Sequence, residues 1–154
     1  MKEHSKPTGE QADPVFEFFR SVHIIQHLSQ VRMEKALPGE MLQSHFGVLS
    51  HLIRSDDCKS PADLAALFQV SRPSMTNTLG KLEKMQFIRI RPNPEDGRAK
   101  LVEITDAGAK AQQAAIQAIA PMFADIVAVV GVETFQELLP DMNKIRQFLD
   151  DHRD

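Results

Sequence analysis

Between Ser60 and Thr105 the hydrophobic period of the chain changes from helical to strand-like, and few folds accommodate that change over so short a stretch. The segment reads SPADLAALFQVSRPSMTNTLGKLEKMQFIRIRPNPEDGRAKLVEIT. Ser60-Pro61-Ala62-Asp63 is a helix start. Ser60 can cap, Pro61 sits where its missing N–H costs nothing, and Asp63 can complete a capping box. Leu64, Leu67 and Phe68 give this short helix an apolar face, and Gln69-Val70 makes a turn. Ser71 then caps a second helix, whose Met75, Leu79 and Leu82 recur at helical spacing and point inward. From Phe87 to Arg91 the residues alternate, with Ile88 and Ile90 on one face and Arg89 and Arg91 on the other. Pro92 to Gly97 cannot continue a strand and forms a loop tip, and Lys100 to Ile104 is the return strand. Two helices joined by a tight turn and followed by a hairpin describe a helix-turn-helix with a β-hairpin wing.

That arrangement sets one helix into the major groove of DNA. The second helix is suited to the task. Opposite its apolar residues it carries Arg72, Ser74, Thr76, Asn77, Gly80 and Lys81, short or basic side chains with the acid, Glu83, held to the end. Asn, Thr and Ser can bond to base edges, and Arg or Lys to phosphate or guanine. The formal net charge of the chain is −3, which alone argues against a nucleic-acid partner. Its distribution argues the other way. From Lys59 to Lys100 eight basic residues face four acidic ones, a local +4 that leaves −7 elsewhere, and local charge governs attraction to phosphate.

The remaining chain reads as support. With 154 residues, 42% of them hydrophobic, it can bury a core without disulfides. Its single cysteine, Cys58, suits a reducing compartment, and no apolar run is read as a membrane span. A cytoplasmic protein without membrane contact is expected. Residues 1–13 are read as a mobile arm. A helix is expected over 14–36, with Asp13 as N-cap, Pro14 at the first position and Val15, Phe18, Phe19, Val22, Ile25 and Leu28 on one stripe. A second helix carries Leu42, Phe46, Leu49 and Ile53. After Thr105, which can cap, an Ala-rich helix runs to about Val130 with a kink at Pro121. A last one follows from about Glu133, interrupted by Pro140. These terminal helices are too apolar to be solitary and suggest a dimer interface.

At this point the residues resemble the MarR family of winged helix-turn-helix transcriptional regulators. Leu64-Ala-Ala-Leu67 through Val70-Ser71 is similar to its first reading helix and turn, and Thr76 through Lys84 to its recognition helix. The most specific part is Asp96-Gly97-Arg98 followed by Val102-Glu103-Ile104-Thr105-Asp106-Ala107-Gly108. The resemblance implies a symmetric homodimer built from helices at both chain ends. It also implies that Arg98 enters the minor groove with Asp96 holding its guanidinium. Many relatives bind a small aromatic or phenolic effector, in a pocket expected here among the first, second and fifth helices. Two departures stand out: Met85-Gln86 replaces the glycine that usually ends the recognition helix, and Pro121 and Pro140 are additional.

The expected architecture is therefore mainly α (α+β). A winged helix-turn-helix over 40–105, with a two-stranded hairpin wing, is flanked by dimerisation helices at 14–36 and 106–152. The expected function is sequence-specific double-stranded DNA binding by a homodimeric transcriptional regulator, a ligand-released repressor on a palindromic operator. Ser71, Arg72, Ser74, Thr76, Asn77 and Lys81 are assigned to the major groove, Arg98 with Asp96 to the minor groove, and Arg91 and Lys100 to phosphates. The alternative is a winged-helix protein-interaction module without DNA binding. No nucleophile–base pair or phosphate-binding glycine loop marks an enzyme. His23 and His27, one turn apart, and His45 and His51 are read as surface or core residues rather than metal ligands, and no cofactor is expected.

Overall fold

The computed structural model describes residues 9–55, 59–97 and 99–152, with residues 9–13 described by backbone only. Eight elements follow one another: α1 (Gly9–Ala36), α2 (Gln43–Arg54), α3 (Pro61–Leu67), α4 (Arg72–Lys84), β1 (Ile88–Pro92), β2 (Lys100–Ile104), α5 (Asp106–Val130) and α6 (Val132–Asp151). The order is the one the sequence predicts: a mainly helical chain with one antiparallel hairpin. Two units divide it, Met1–Ala118 and Ile119–Asp154.

In the first unit the core is the meeting of α2, α3, α4 and the hairpin. Leu49, Leu64, Leu79, Leu82 and Val102 are all fully buried there. Each such side chain contributes about 1.5–3 kcal/mol on burial. Met75, Leu79 and Leu82 form the inward face of α4 as their spacing requires. The hairpin pairs Ile88 with Ile104 and Ile90 with Val102, which places these four on its core side. Lys59 adds a single bridge, its carbonyl accepting from the Val102 N–H at 2.9 Å.

Several expectations are corrected. Helix α1 starts at Gly9, so residues 9–13 belong to it rather than to an arm, Asp13 is not its N-cap, and Pro14 lies inside it. Glu10, Gln11 and Ala12 are adequate helix formers, and Pro14 removes only one backbone bond near the helix start. Residues 1–8 lie outside the described residues. On α2 the buried face is His45, Val48, Leu49 and Leu52, whereas Leu42 and Ile53 are 38% and 43% exposed. Apolar spacings of three and four occur on two overlapping faces of this helix, and only packing against α4 and β2 selects one. On α3, Leu64 and Ala65 are buried but Leu67 is exposed.

In the second unit α6 is a single helix that continues through Pro140, losing one ladder bond rather than breaking in two. Likewise α5 runs unbroken past Pro121. It is also long and apolar enough to cross a membrane by length and composition, contrary to the sequence reading. Its Ala- and Val-rich content produces that result. Apolar side chains remain exposed along α6, among them Phe135, Leu138, Leu139, Phe148 and Leu149, and α6 buries no residue. In the first unit α1 behaves alike, with Val15, Phe16, Ile25 and Leu28 each more than half exposed.

Candidate nucleic-acid interface

The reading head is built from two capped helices. At the start of α3 the box closes both ways: the Ser60 Oγ accepts from the Asp63 N–H at 3.1 Å, and the Asp63 carboxylate accepts from the Ser60 N–H at 3.1 Å and the Ser60 hydroxyl at 2.7 Å. These Ser60 bonds hold the Asp63 carboxyl below its ordinary pKa. Helix α3 then ends with Gln69 in the left-handed region (φ 55°), while the Val70 N–H reaches back to the Ala65 carbonyl at 3.0 Å. Two residues later Ser71 caps α4, its Oγ accepting from the Ser74 N–H at 3.2 Å. The turn is therefore closed by hydrogen bonds rather than by glycine.

Helix α4 buries one side and presents the other. Ser71, Arg72, Ser74, Thr76, Asn77 and Lys81 are all exposed, as the assignment to a groove requires. Two refinements follow. The Ser71 hydroxyl holds the helix end, so its role is positioning as much as contact. The Thr76 hydroxyl donates to the Arg72 carbonyl at 2.9 Å, which leaves an acceptor and a methyl group facing outward. Lys84 is missing from the sequence-based set. It lies one turn beyond Gly80 on the outward face and is exposed, and the i, i+4, i+7 series from Asn77 was enough to find it.

Helix α4 ends at Lys84 with Met85 as C-cap, after which Gln86 adopts φ 62° and the Phe87 N–H donates to the Leu82 carbonyl at 3.0 Å. This is a Schellman-type close made without glycine, so Gln86 carries roughly 1 kcal/mol of strain. Its carbonyl accepts from the Thr105 hydroxyl at 2.7 Å, and that same Oγ accepts from the Gly108 N–H at 3.0 Å. One threonine thus joins the end of the recognition helix to the start of α5.

On the wing, Arg91 is not simply presented to solvent. Its Nε donates to Glu103 Oε1 at 2.7 Å across the hairpin. A phosphate contact by Arg91 would share the guanidinium with that carboxylate. Lys100 and Asp96 are exposed. The loop is closed by the Asn93 N–H donating to the Ala99 carbonyl at 2.8 Å and the Ala99 N–H donating to the Asp96 carbonyl at 2.9 Å. Arg98 lies outside the described residues, as does Cys58. The recognition-helix residues and the wing residues are thus carried by adjoining elements, with β1 following directly on the turn that ends α4.

His45 has a role the sequence reading did not see. It is 1% exposed, and its Nδ1 accepts from the Leu42 N–H at 3.1 Å, capping α2 from within. A nearby carboxylate, Glu34 of α1, accepts from the Gln43 N–H at 3.4 Å. The spacing Leu42-x-x-His45 is that of a capping box with an imidazole in place of Glu or Gln. A half-open pocket of about 450 Å³ adjoins it, lined by Glu40, Leu42, His45, Lys81, Lys84 and Met85.

Burial holds the His45 pKa below its ordinary value, the Lys81 charge adds to this, and Glu34 opposes it. Below pH 6.5 the unfolded chain therefore binds more protons at this site than the folded one. The stability from neutral His45 is complete above pH 6.5 and is lost as pH falls through the lowered folded-state pKa. Thermal unfolding at pH 7.5 and 5.5 checks this: the drop in midpoint should be smaller in His45→Gln, whose amide can still accept at the cap. Equal drops would assign the pH dependence elsewhere.

Taken together, a capped helix pair, an acid-poor outward face and a closed hairpin define a winged helix-turn-helix protein. A family model described as MarR family matches residues 41–99. An HTH-type transcriptional regulator of Mycobacterium tuberculosis is 32% identical over 79 residues, 51% of this chain and 55% of that one. The chain thus spans about half the length of the mycobacterial relatives it matches. Among solved structures, the transcriptional regulator BldR from Sulfolobus solfataricus aligns with a TM-score of 0.79 at 22% identity, covering 89% of this chain and 97% of that one. The S. aureus MepR–DNA complex aligns with a TM-score of 0.75 at 20% identity, covering 84% and 96%. Over residues 41–99 the chain is similar to the MarR family, and its fold is that of the transcriptional regulators it aligns with.

Proposed function

We propose that the chain is a sequence-specific double-stranded DNA-binding transcriptional regulator of the cytoplasm, a homodimer that reads a palindromic operator and is released from it by a small effector. The observation that carries this reading is the outward face of α4. Arg72, Thr76, Asn77, Lys81 and Lys84 are exposed there, while Met75, Leu79 and Leu82 anchor the opposite side. A rigid helix with short polar and basic side chains matches what a major groove accepts. S. aureus MepR, a chain of similar fold, is solved in complex with DNA, which supports the reading. The homodimer is supported by the exposed apolar side chains of α1 and of α6, which a single chain leaves in water. Two reading heads held by symmetry would meet half-sites about one helical turn apart. Effector release is supported by the pocket against Lys81 and Lys84, since an occupant there competes with DNA for the same cations.

A mobility-shift titration against duplexes selected from a random pool, at 50 and 200 mM salt (about physiological at the upper end), tests the reading. Affinity should fall by about 10³-fold between them. Lys84→Ala and Lys100→Ala should each lower the salt slope by about one. Absence of duplex binding at the lower salt would leave a protein-interaction module instead.

A further inference from the structure

Helix α4 contains a glycine that the fold does not need. Of the helical glycines whose surroundings are described, Gly47 would place a Cβ 3.3 Å from the Phe68 ring, and Gly108 would drive one into the Phe87 carbonyl at 2.0 Å. Both answer to close packing within the chain. Gly80 does not. A Cβ built there meets nothing within 4 Å, and its φ lies outside the left-handed region. It stands in the interior of a 13-residue helix, where glycine weakens the helix relative to alanine. By helical spacing it shares a face with Pro73, Asn77 and Lys84, opposite the buried Met75, Leu79 and Leu82.

We infer that Gly80 is a close-approach residue. Its bare backbone lets α4 sit against the floor of the major groove, so that Asn77 before it and Lys84 after it reach their targets. The inference rests on the DNA-reading function proposed above. It goes beyond that function in assigning to an absent side chain the depth at which the helix docks. A Cβ would hold the helix away by a fraction of its own diameter, and hydrogen bonds of the Asn77 amide to a base edge weaken steeply over such a distance. No charge is involved, so the salt dependence stays as it is.

Gly80→Ala and Gly80→Leu are compared with wild type in thermal unfolding and in binding to a duplex selected from a random pool by the wild-type protein. Gly80→Ala should raise the unfolding midpoint by about 2–4 °C. At the same time it should weaken duplex binding about tenfold, a loss on the scale of one mismatched base pair, and Gly80→Leu should weaken it further. The salt slope of both variants should equal that of wild type. Wild-type affinity in Gly80→Ala would overturn the inference and leave the DNA-reading function intact. A wild-type protein that selects no duplex at all would overturn both.

Discussion

Gly108→Ala should destabilise the protein by about 3 kcal/mol or more, a large loss for one methyl group. The added carbon would lie 2.0 Å from the Phe87 carbonyl oxygen and 2.9 Å from Ile104 Cγ1. Neither neighbour can give way cheaply. The Phe87 carbonyl accepts from the Thr105 N–H at 3.0 Å, and Thr105 itself ties Gly108 to the Gln86 carbonyl. To admit a Cβ, the first turn of α5 must lift from the strand it abuts, which breaks that set of bonds at once. Urea titration with wild type alongside measures the difference. A loss below about 1 kcal/mol would mean that the helix start yields easily, contrary to the packing described.

Arg98→Ala should lower operator affinity by about 10- to 100-fold while leaving the unfolding midpoint close to wild type. The expectation rests on the sequence Asp96-Gly97-Arg98, whose likeness to the MarR wing implies a minor-groove arginine, and on the hairpin loop closed by the Asn93–Ala99 and Asp96–Ala99 bonds. An arginine carried there can enter a narrow A·T-rich minor groove, where the potential is most negative. Arg98→Lys should not restore full affinity, because an ammonium keeps the charge but loses the planar fork. Full affinity in both variants would remove the wing tip from the mechanism and leave recognition to α4.

The parts of the fold legible in the sequence were those written locally. The Ser60–Asp63 box, the Ser71 cap, the buried series Met75, Leu79 and Leu82, and the alternation of the two strands each depend on residues within a turn or two of one another. Features set by distant partners were not legible. The exposure of Leu67 depends on packing across the unit, and the buried face of α2 was chosen by α4 and β2. The pairing of Arg91 with Glu103 depends on hairpin register. The Gly108 contact requires the Phe87 carbonyl to arrive from another element. Helix boundaries differ for another reason: Pro14 reads as a first helical position and Pro140 as an interruption, yet an otherwise favourable helix absorbs the loss of one bond. For the site, residue types and face were readable on α4. The outward position of Lys84 is readable too, from its spacing to Asn77 and Lys81.

The cap on α2 has a genetic consequence. Histidine and glutamine codons differ only in the third base, and both side chains can accept the Leu42 N–H from that position. A single nucleotide change at codon 45 therefore converts a titratable cap into a proton-blind one while keeping the helix start. A protein carrying glutamine there should lose the part of its acid sensitivity that arises at this cap and keep its stability at neutral pH.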